Sequence, residues 1–313
     1  MPSKMPAKLA VFHVARVGSL SFEKLSCAAR RVDMEMGKQA EKAEGLRKLH
    51  KGPRILILAN AWDVISARMV EDAGFPAAAS TSAGVAAVLG YPDGQRIPMS
   101  EMLEFVGRMA RAVGVPLTAD MEAGYATTPA EMAEMARQVV AAGIVGLNLE
   151  DVTGDDETSQ VEIGLQAEKI AAVREASASE GVSLVINART DVYLMPIGPA
   201  ETRFERTVER LRAYREAGAD CVFAPGIRDA ETIGKLVRAV DAPLNILLQP
   251  GGPSVSELEK LGVARASIGS GTMRAALGTA RRFFKALSEY QDHSALLADA
   301  VPYDQVNRLL GRT

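Results

Sequence analysis

Two carboxylates two residues apart, Asp120 and Glu122, close an apolar run in the stretch VPLTADMEAGYA at 115–126. Residues i and i+2 of a β-strand share a face, so the two acids would project together from the strand's C-terminal end. Like charges that close repel unless a cation sits between them. Glu150 ends a second apolar run, VGLNLE, and Arg189 ends a third, LVINAR. All-oxygen ligands from several carboxylates suit Mg²⁺ or Mn²⁺, whose coordination is completed by water and substrate oxygens. Arg189 can grip a carboxylate in a bidentate fork. The segment Thr81-Ser82-Ala83-Gly84 can offer backbone N–H groups to an oxyanion. The chemistry within reach of these residues is metal-assisted handling of a small oxyacid.

For those residues to meet, the chain must repeat one unit. A short apolar strand is followed by a polar turn, an amphipathic helix and a closing glycine. Eight strands are predicted, at 55–60, 77–81, 116–120, 145–150, 184–189, 221–225, 244–249 and 266–269. Helices are predicted near 63–73, 99–113, 129–142, 165–180, 203–217, 229–240, 254–261 and 271–287. Gly74, Gly114, Gly143, Gly181, Gly218 and Gly262 stand where helices end in the left-handed region. Thr128-Pro129-Ala130-Glu131 and Ser254-Val255-Ser256-Glu257 are capping boxes. Strands apolar on both faces and alternating with helices imply a parallel sheet. Eight of them imply a single (β/α)8 TIM-type barrel, in which the strands' C-terminal ends carry the chemistry. A doubly wound Rossmann sheet is the alternative, weakened because no GxGxxG follows the first strand. An amphipathic helix from Met34 to His50 precedes the barrel. The expected layout is a poorly ordered arm over 1–33, a barrel over 34–287 and a helical tail over 288–313, with a short helix around Tyr303–Leu310.

Composition adds few constraints. The chain has 313 residues, 48 % apolar and 24 % charged, with a net charge of −3. That charge offers no reason to expect nucleic acid or an anionic membrane as partner. No apolar run approaches the ~18 residues of a spanning helix. Cys27 and Cys221 are too far apart for a zinc or disulfide framework, which fits a reducing, cytoplasmic setting. His13, His50 and His293 are too scattered for a histidine metal site.

Several residues have a plainer reading beside the functional one. Asp63 precedes a helix and suits an N-cap better than catalysis. Arg189 could pair with Asp191. Trp62, the single tryptophan, could pack in the core or wall a substrate. Asn148 and Asn245, inside apolar strands, need hydrogen-bond partners that a barrel-interior network supplies as well as a substrate does. Cys221 suits a small core hydrophobe.

The segments ANAWDVISARMVEDAGFPAAASTSAGVAAVLGYPDG, ADMEAGYA, VGLNLED, INARTD and PSVSELEKLGVARASIGS together resemble the isocitrate lyase/phosphoenolpyruvate mutase superfamily over about residues 37–285. The resemblance implies an (α/β)8 barrel, a Mg²⁺ site, a substrate presenting an α-oxycarboxylate, and a dimer or tetramer in which the eighth helix swaps between partners. It makes Asp120 the direct metal ligand, with Glu122 and Glu150 binding the ion through water. Asp93 would support the metal network, Ser82 and Ala83 would hold the oxyacid by their amides, and Arg189 would contact the substrate. Gly124 and Tyr125 match a Gly-aromatic turn beside the site. Glu122 stands where most members carry aspartate.

Departures from the family narrow the chemistry. Lyases of isocitrate and methylisocitrate carry a Lys-Lys/Arg-Cys-Gly-His loop after the fourth strand, and phosphonomutases carry a lysine and an asparagine there. This chain has Asp151-Val152-Thr153-Gly154-Asp155-Asp156-Glu157-Thr158-Ser159-Gln160 instead, and Ala224-Pro225-Gly226 where the lyases have a glutamate. The expectation is a Mg²⁺-dependent (or Mn²⁺-dependent) lyase that cleaves a C–C bond beside a 2-oxo or 2-hydroxy carboxylate through a metal-stabilised enolate. A decarboxylase or a lyase of a small substituted malate fits, with Asp120, Arg189, Tyr125 and Asp93 as catalytic residues and Tyr125 as the candidate acid. Ser82, Ala83, Trp62, Asn148, Arg189 and Asn245 would bind substrate. The alternatives are a phosphonomutase and a non-catalytic barrel that binds an oxyacid.

Overall fold

A computed structural model describes residues 22–153, 160–195, 197–289, 292 and 294–311. Eight parallel strands close into one barrel in chain order. They are β1 (Leu56–Ala61), β2 (Ala78–Ser80), β3 (Leu117–Asp120), β4 (Gly146–Glu150), β5 (Val185–Arg189), β6 (Cys221–Phe223), β7 (Leu244–Leu247) and β8 (Arg265–Ser267). The helices are α1 (Phe22–Leu49), α2 (Val64–Asp72), α3 (Ser82–Leu89), α4 (Met99–Ala112), α5 (Pro129–Ala141), α6 (Ile163–Ser179), α7 (Arg203–Glu216), α8 (Ala230–Val240), α9 (Val255–Leu261), α10 (Gly271–Ser288), α11 (Ser294–Leu297) and α12 (Tyr303–Leu310). Among the described residues no helix is long and apolar enough to cross a membrane.

Local chemistry sets the helix starts. Asp63 caps α2, accepting from Ser66 N–H at 2.7 Å while the Ser66 hydroxyl caps Asp63 N–H in return. The same reciprocal box starts α5 at Thr128/Glu131 and α9 at Ser254/Glu257. Five of the six expected closing glycines adopt positive φ; Gly114 does not. The helix before it ends in extended Val113, and Gly114 N–H is held by Glu71 Oε1 at 2.6 Å.

Three elements differ from expectation. Helix α1 begins at Phe22, twelve residues before the periodic stretch at Met34, within the segment expected to be a poorly ordered arm; residues 1–21 lie outside the described residues. Helix α3 stands where no helix was predicted, because SAGVAAVL is apolar on all sides and shows no helical period. Strand β8 begins at Arg265 rather than Ala266, which brings a fully buried arginine into the barrel wall.

Barrel closure is stitched by Asn60. Its amide donates to Ser80 O at 2.8 Å on β2, and its oxygen accepts from Ile268 and Gly269 N–H at 2.9 Å beyond β8. Asp151, just after β4, is fully buried rather than displayed at the mouth. It accepts from Tyr214 Oη at 2.7 Å, Gln160 Nε2 at 3.0 Å, Arg210 Nη1 at 3.1 Å and Asp191 N–H at 3.1 Å. With a β-bridge between Val152 and Gln160, this clamps both ends of the acidic segment; residues 154–159 within it lie outside the described residues.

Trp62 and α3 approach closely at Gly84, where a Cβ would lie 2.6 Å from both Thr81 Cγ2 and Trp62 Cβ. Neither neighbour is the free end of a flexible chain, so Gly84→Ala should destabilise the fold by about 1–3 kcal/mol through overpacking. Denaturant melts followed by Trp62 emission check this.

Candidate active site

The C-terminal ends of β2 to β5 bring together most of the residues singled out by type and spacing. Asp120 ends β3, and both of its oxygens are held by donors. Oδ2 accepts from Ser82 N–H at 3.0 Å and from Ser82 Oγ at 2.9 Å; Oδ1 accepts from Asn148 Nδ2 at 3.4 Å. Its own N–H is fixed by Ser80 Oγ at 2.9 Å. The Ser82 amide is therefore spent on Asp120 at the first turn of α3, and Ala83, one residue on, is half-buried beside it.

Glu122 sits in the left-handed region at φ 50°, as do Gln95 at 58° and Tyr125 at 56°. Such angles are costly for residues with a Cβ and persist where surroundings over-determine them. Here the surroundings are mutual. Gln95 N–H donates to Glu122 Oε2, Tyr125 Oη donates to Glu122 Oε1 at 3.3 Å, and Tyr125 N–H donates to Gln95 Oε1 at 3.1 Å. Gly124 completes the turn at φ 89°, where a Cβ would lie 2.4 Å from Met132 Cε.

Glu150 is paired with Arg189. Its Oε2 lies 2.6 Å from Arg189 Nη1, while Arg189 Nε meets Asp191 Oδ1 at 2.6 Å. The guanidinium also lies 5.9 Å from the centroid of Phe223. So Arg189 pairs with Asp191, as the plainer reading had it, and with Glu150 as well.

The cluster is crowded with negative charge. Burial, then Asp120, then Asp93 push the Glu122 carboxyl up to about 7. Burial and Asp120 raise Asp93, against donors on Gly94 and Ser82. Burial raises Glu150 against the pull of Arg189. Burial and Glu122 raise the Tyr125 hydroxyl, which stays protonated. Among the described residues no three His, Cys, Asp or Glu side chains stand in a ligating arrangement. The reason is visible in the contacts, since each carboxylate has turned to its own donor: Asp120 to Ser82, Glu122 to Gln95, Glu150 to Arg189.

Two of the residues expected to touch substrate are buried and bonded within the protein. Asn245 is fully buried, with its amide paired to Ser267 Oγ at 3.2 Å, so it has no exposed atom for a ligand. Asn148 is buried too, and serves Asp120. Trp62 is half-buried at the end of β1, its backbone N–H donating to Ser66 Oγ at 2.9 Å. Sequence reasoning missed Gln95, which looks like ordinary loop polarity, and Arg265, whose Nη2 donates to Asn148 Oδ1 at 3.3 Å. A single arginine at a strand start carries no signal of burial.

Known proteins show the same frame. Residues 46–288 match the family described as Phosphoenolpyruvate phosphomutase. An oxaloacetate decarboxylase 2 of Pseudomonas fluorescens is 32 % identical over 227 residues, 71 % of this chain and 74 % of that one. A structure from Burkholderia cenocepacia J2315, described as a lyase/mutase, superposes with TM-score 0.80 at 38 % identity, covering 87 % of this chain and 96 % of that one. A phosphonopyruvate hydrolase solved with oxalate and Mg²⁺ superposes with TM-score 0.75 at 25 % identity, covering 86 % and 95 %.

Glu122 yields a pH prediction. Its carboxyl takes up protons at about 7 in the fold, above the ordinary 4.5 of the unfolded chain. The folded state thus binds more protons between those values, and stability falls as pH rises through that window. In chelator, Glu122→Gln should lose less melting temperature than the wild type between pH 5 and pH 8, the difference bounded by about 3 kcal/mol. Parallel thermal melts at the two pH values measure it.

Proposed function

The chain belongs to the phosphoenolpyruvate phosphomutase family, and from that membership together with its carboxylate cluster we propose that it is a divalent-metal-dependent lyase. Relatives in the family are lyases and mutases, and this chain is an enzyme of that kind. The proposed reaction cleaves a C–C bond beside a 2-oxo or 2-hydroxy carboxylate, as a decarboxylase or as a lyase of a small substituted malate. The observation that carries this reading is the gathering of Asp93, Asp120, Glu122 and Glu150 at one end of the barrel, with Glu150 paired to Arg189 and with burial and like charge pushing Glu122 up to about 7. An all-oxygen donor set under such repulsion fits Mg²⁺ or Mn²⁺.

Asp120 would hold the ion directly, with Glu122 and Glu150 contributing through water. A divalent cation there supplies Lewis-acid polarisation of the substrate's α-oxygen and carboxylate. Arg189 keeps its charge next to Glu150 and Asp191 and offers its remaining N–H groups to the substrate carboxylate. Ala83 N–H, at the first turn of α3, orients the same end, since the Ser82 amide is committed to Asp120. As the bond breaks its electron pair would pass to C3: in a 2-oxo diacid C4 leaves as CO2, and in a 2-hydroxy diacid the 2-hydroxyl gives up its proton to solvent and C2 becomes the 2-oxo carbon; C3 then takes a proton. Tyr125 Oη is the donor the geometry favours, protonated and backed by Glu122 at 3.3 Å.

The segment after β4 separates this reading from phosphonomutase chemistry. It carries Asp155, Asp156 and Glu157 and lacks a lysine, cysteine or histidine. Negative charge there would oppose a phosphonate or a tricarboxylate if the segment closed over one. We also assign a dimer or tetramer in which α10 exchanges between copies. Leu277, Phe284 and Leu287 on that helix are 55, 66 and 44 % exposed, apolar surface that a second copy would cover.

The proposal is tested with a panel of 2-oxo and 2-hydroxy diacids, pyruvate release being followed with and without Mg²⁺. Turnover should require the ion and fall at least about a hundredfold in Asp120→Ala. No wild-type turnover across the panel, or full turnover by Asp120→Ala, would overturn it. ³¹P NMR with phosphonopyruvate reads the mutase alternative directly.

A further inference from the structure

We propose that Arg265 is a positioning residue for the site, acting through Asn148 to fix the carboxylate of Asp120. The inference rests on the reading of Asp120 as the ion's direct ligand.

Arg265 opens β8 and is among the largest fully buried side chains. A charge so placed is expensive unless something repays it. The other well-anchored arginines in this barrel show what a framework role looks like. Arg174 donates to Gly218 O at 2.7 Å and Leu184 O at 2.6 Å, and it pairs with Asp220. Arg47 donates to Ser183 O at 2.7 Å and to Asp220 Oδ1 at 2.8 Å. Both tie strand ends together through backbone carbonyls and an acid. Arg265 does neither. Among the described residues its one hydrogen bond goes to the side chain of Asn148, at 3.3 Å, and its Nε and Nη1 have no protein partner.

Asn148 explains why that single bond matters. A primary amide presents a donor at one end and an acceptor at the other, and either could face Asp120. The oxygen would repel the carboxylate; the nitrogen holds it. Asn148 Oδ1 accepts from Asn187 Nδ2 at 2.7 Å and from Arg265 Nη2 at 3.3 Å. Two donors on that oxygen, one of them charged, fix the amide with Nδ2 directed to Asp120 Oδ1 at 3.4 Å. Ser82 holds the other carboxylate oxygen. Asp120 thus keeps one rotamer while its neighbours Asp93 and Glu122 push against it. Partners of this kind, one bond behind a metal ligand, set ligand orientation and metal affinity.

The test measures ion binding directly, by Mn²⁺ electron paramagnetic resonance titration of the full chain, with circular dichroism as the check on folding. Arg265→Met should weaken the Mn²⁺ dissociation constant by roughly tenfold, and Asn148→Ala by a similar factor. The double variant should bind no more weakly than Asn148→Ala alone, since both changes break one chain of contacts. Arg265→Lys, which restores a charged donor, should recover most of the loss. Multiplying losses in the double variant would overturn the relay. So would tighter binding in Arg265→Met, the result expected if only a repelling positive charge had been removed. Should Arg265→Met not fold, Asn148→Ala decides on its own: unchanged affinity there overturns the proposal. A wild type that binds no Mn²⁺ overturns the metal reading and this inference with it. A wild type that binds, with both single variants unaltered, overturns this inference alone.

Discussion

Four acids crowd one end of a barrel, and the geometry of that end follows from keeping them there. Asp93, Glu122 and Glu150 are pushed towards protonation by burial and by their neighbours, and Asp120 is held in place by the Ser82 amide and hydroxyl. The donors come from separate elements: a helix start gives Ser82, a strained loop gives Gln95, a strand end gives Arg189, and the barrel interior gives Asn148. Each fixes one carboxylate without neutralising the group. The arrangement is pre-organised for a cation and a substrate anion together, which is how a rigid scaffold lowers the reorganisation that chemistry would otherwise require.

Strain collects in the same place. Gln95, Glu122 and Tyr125 all occupy the left-handed region and are bonded to each other. A chain free to relax would not keep three such residues side by side. The barrel wall below them, with its continuous parallel pairing, supplies the rigidity that holds the turn in this state.

The barrel was legible because its units repeat, and repetition averages out local ambiguity. Eight apolar strands, two capping boxes and five left-handed glycines agreed with one another, and Asp63 was readable as a cap from its neighbours alone. The mouth was legible because strand ends are where acids stand out against apolar runs. What stayed hidden was hidden for definite reasons. Helix α3 has no polar face to give it a period. Arg265 looks in sequence like a surface cation entering a strand, and only closure of β8 onto β1 buries it. Asn245 and Asn148 carry the same residue type in the same context, yet one pairs with Ser267 and the other with Asp120. Spacing cannot separate those fates, because they depend on the neighbouring strand's inward residue. Asp151, which directly follows the site acid Glu150 in sequence, is drawn inward by Tyr214 and Arg210 on α7.

Asn60 has a consequence for how the chain comes into being. Its side chain joins β1 to backbone 208 and 209 positions later, at Ile268 and Gly269. During synthesis that partner leaves the ribosome only when most of the protein already hangs outside it. Until then β1 is an unpaired edge on an open, curling sheet, with apolar strands exposed on both sides. The segment carrying Asp120, Glu122 and Glu150 is made long before closure, but its rigidity arrives last. A nascent chain of this kind has a long interval in which it can pair with the wrong edge.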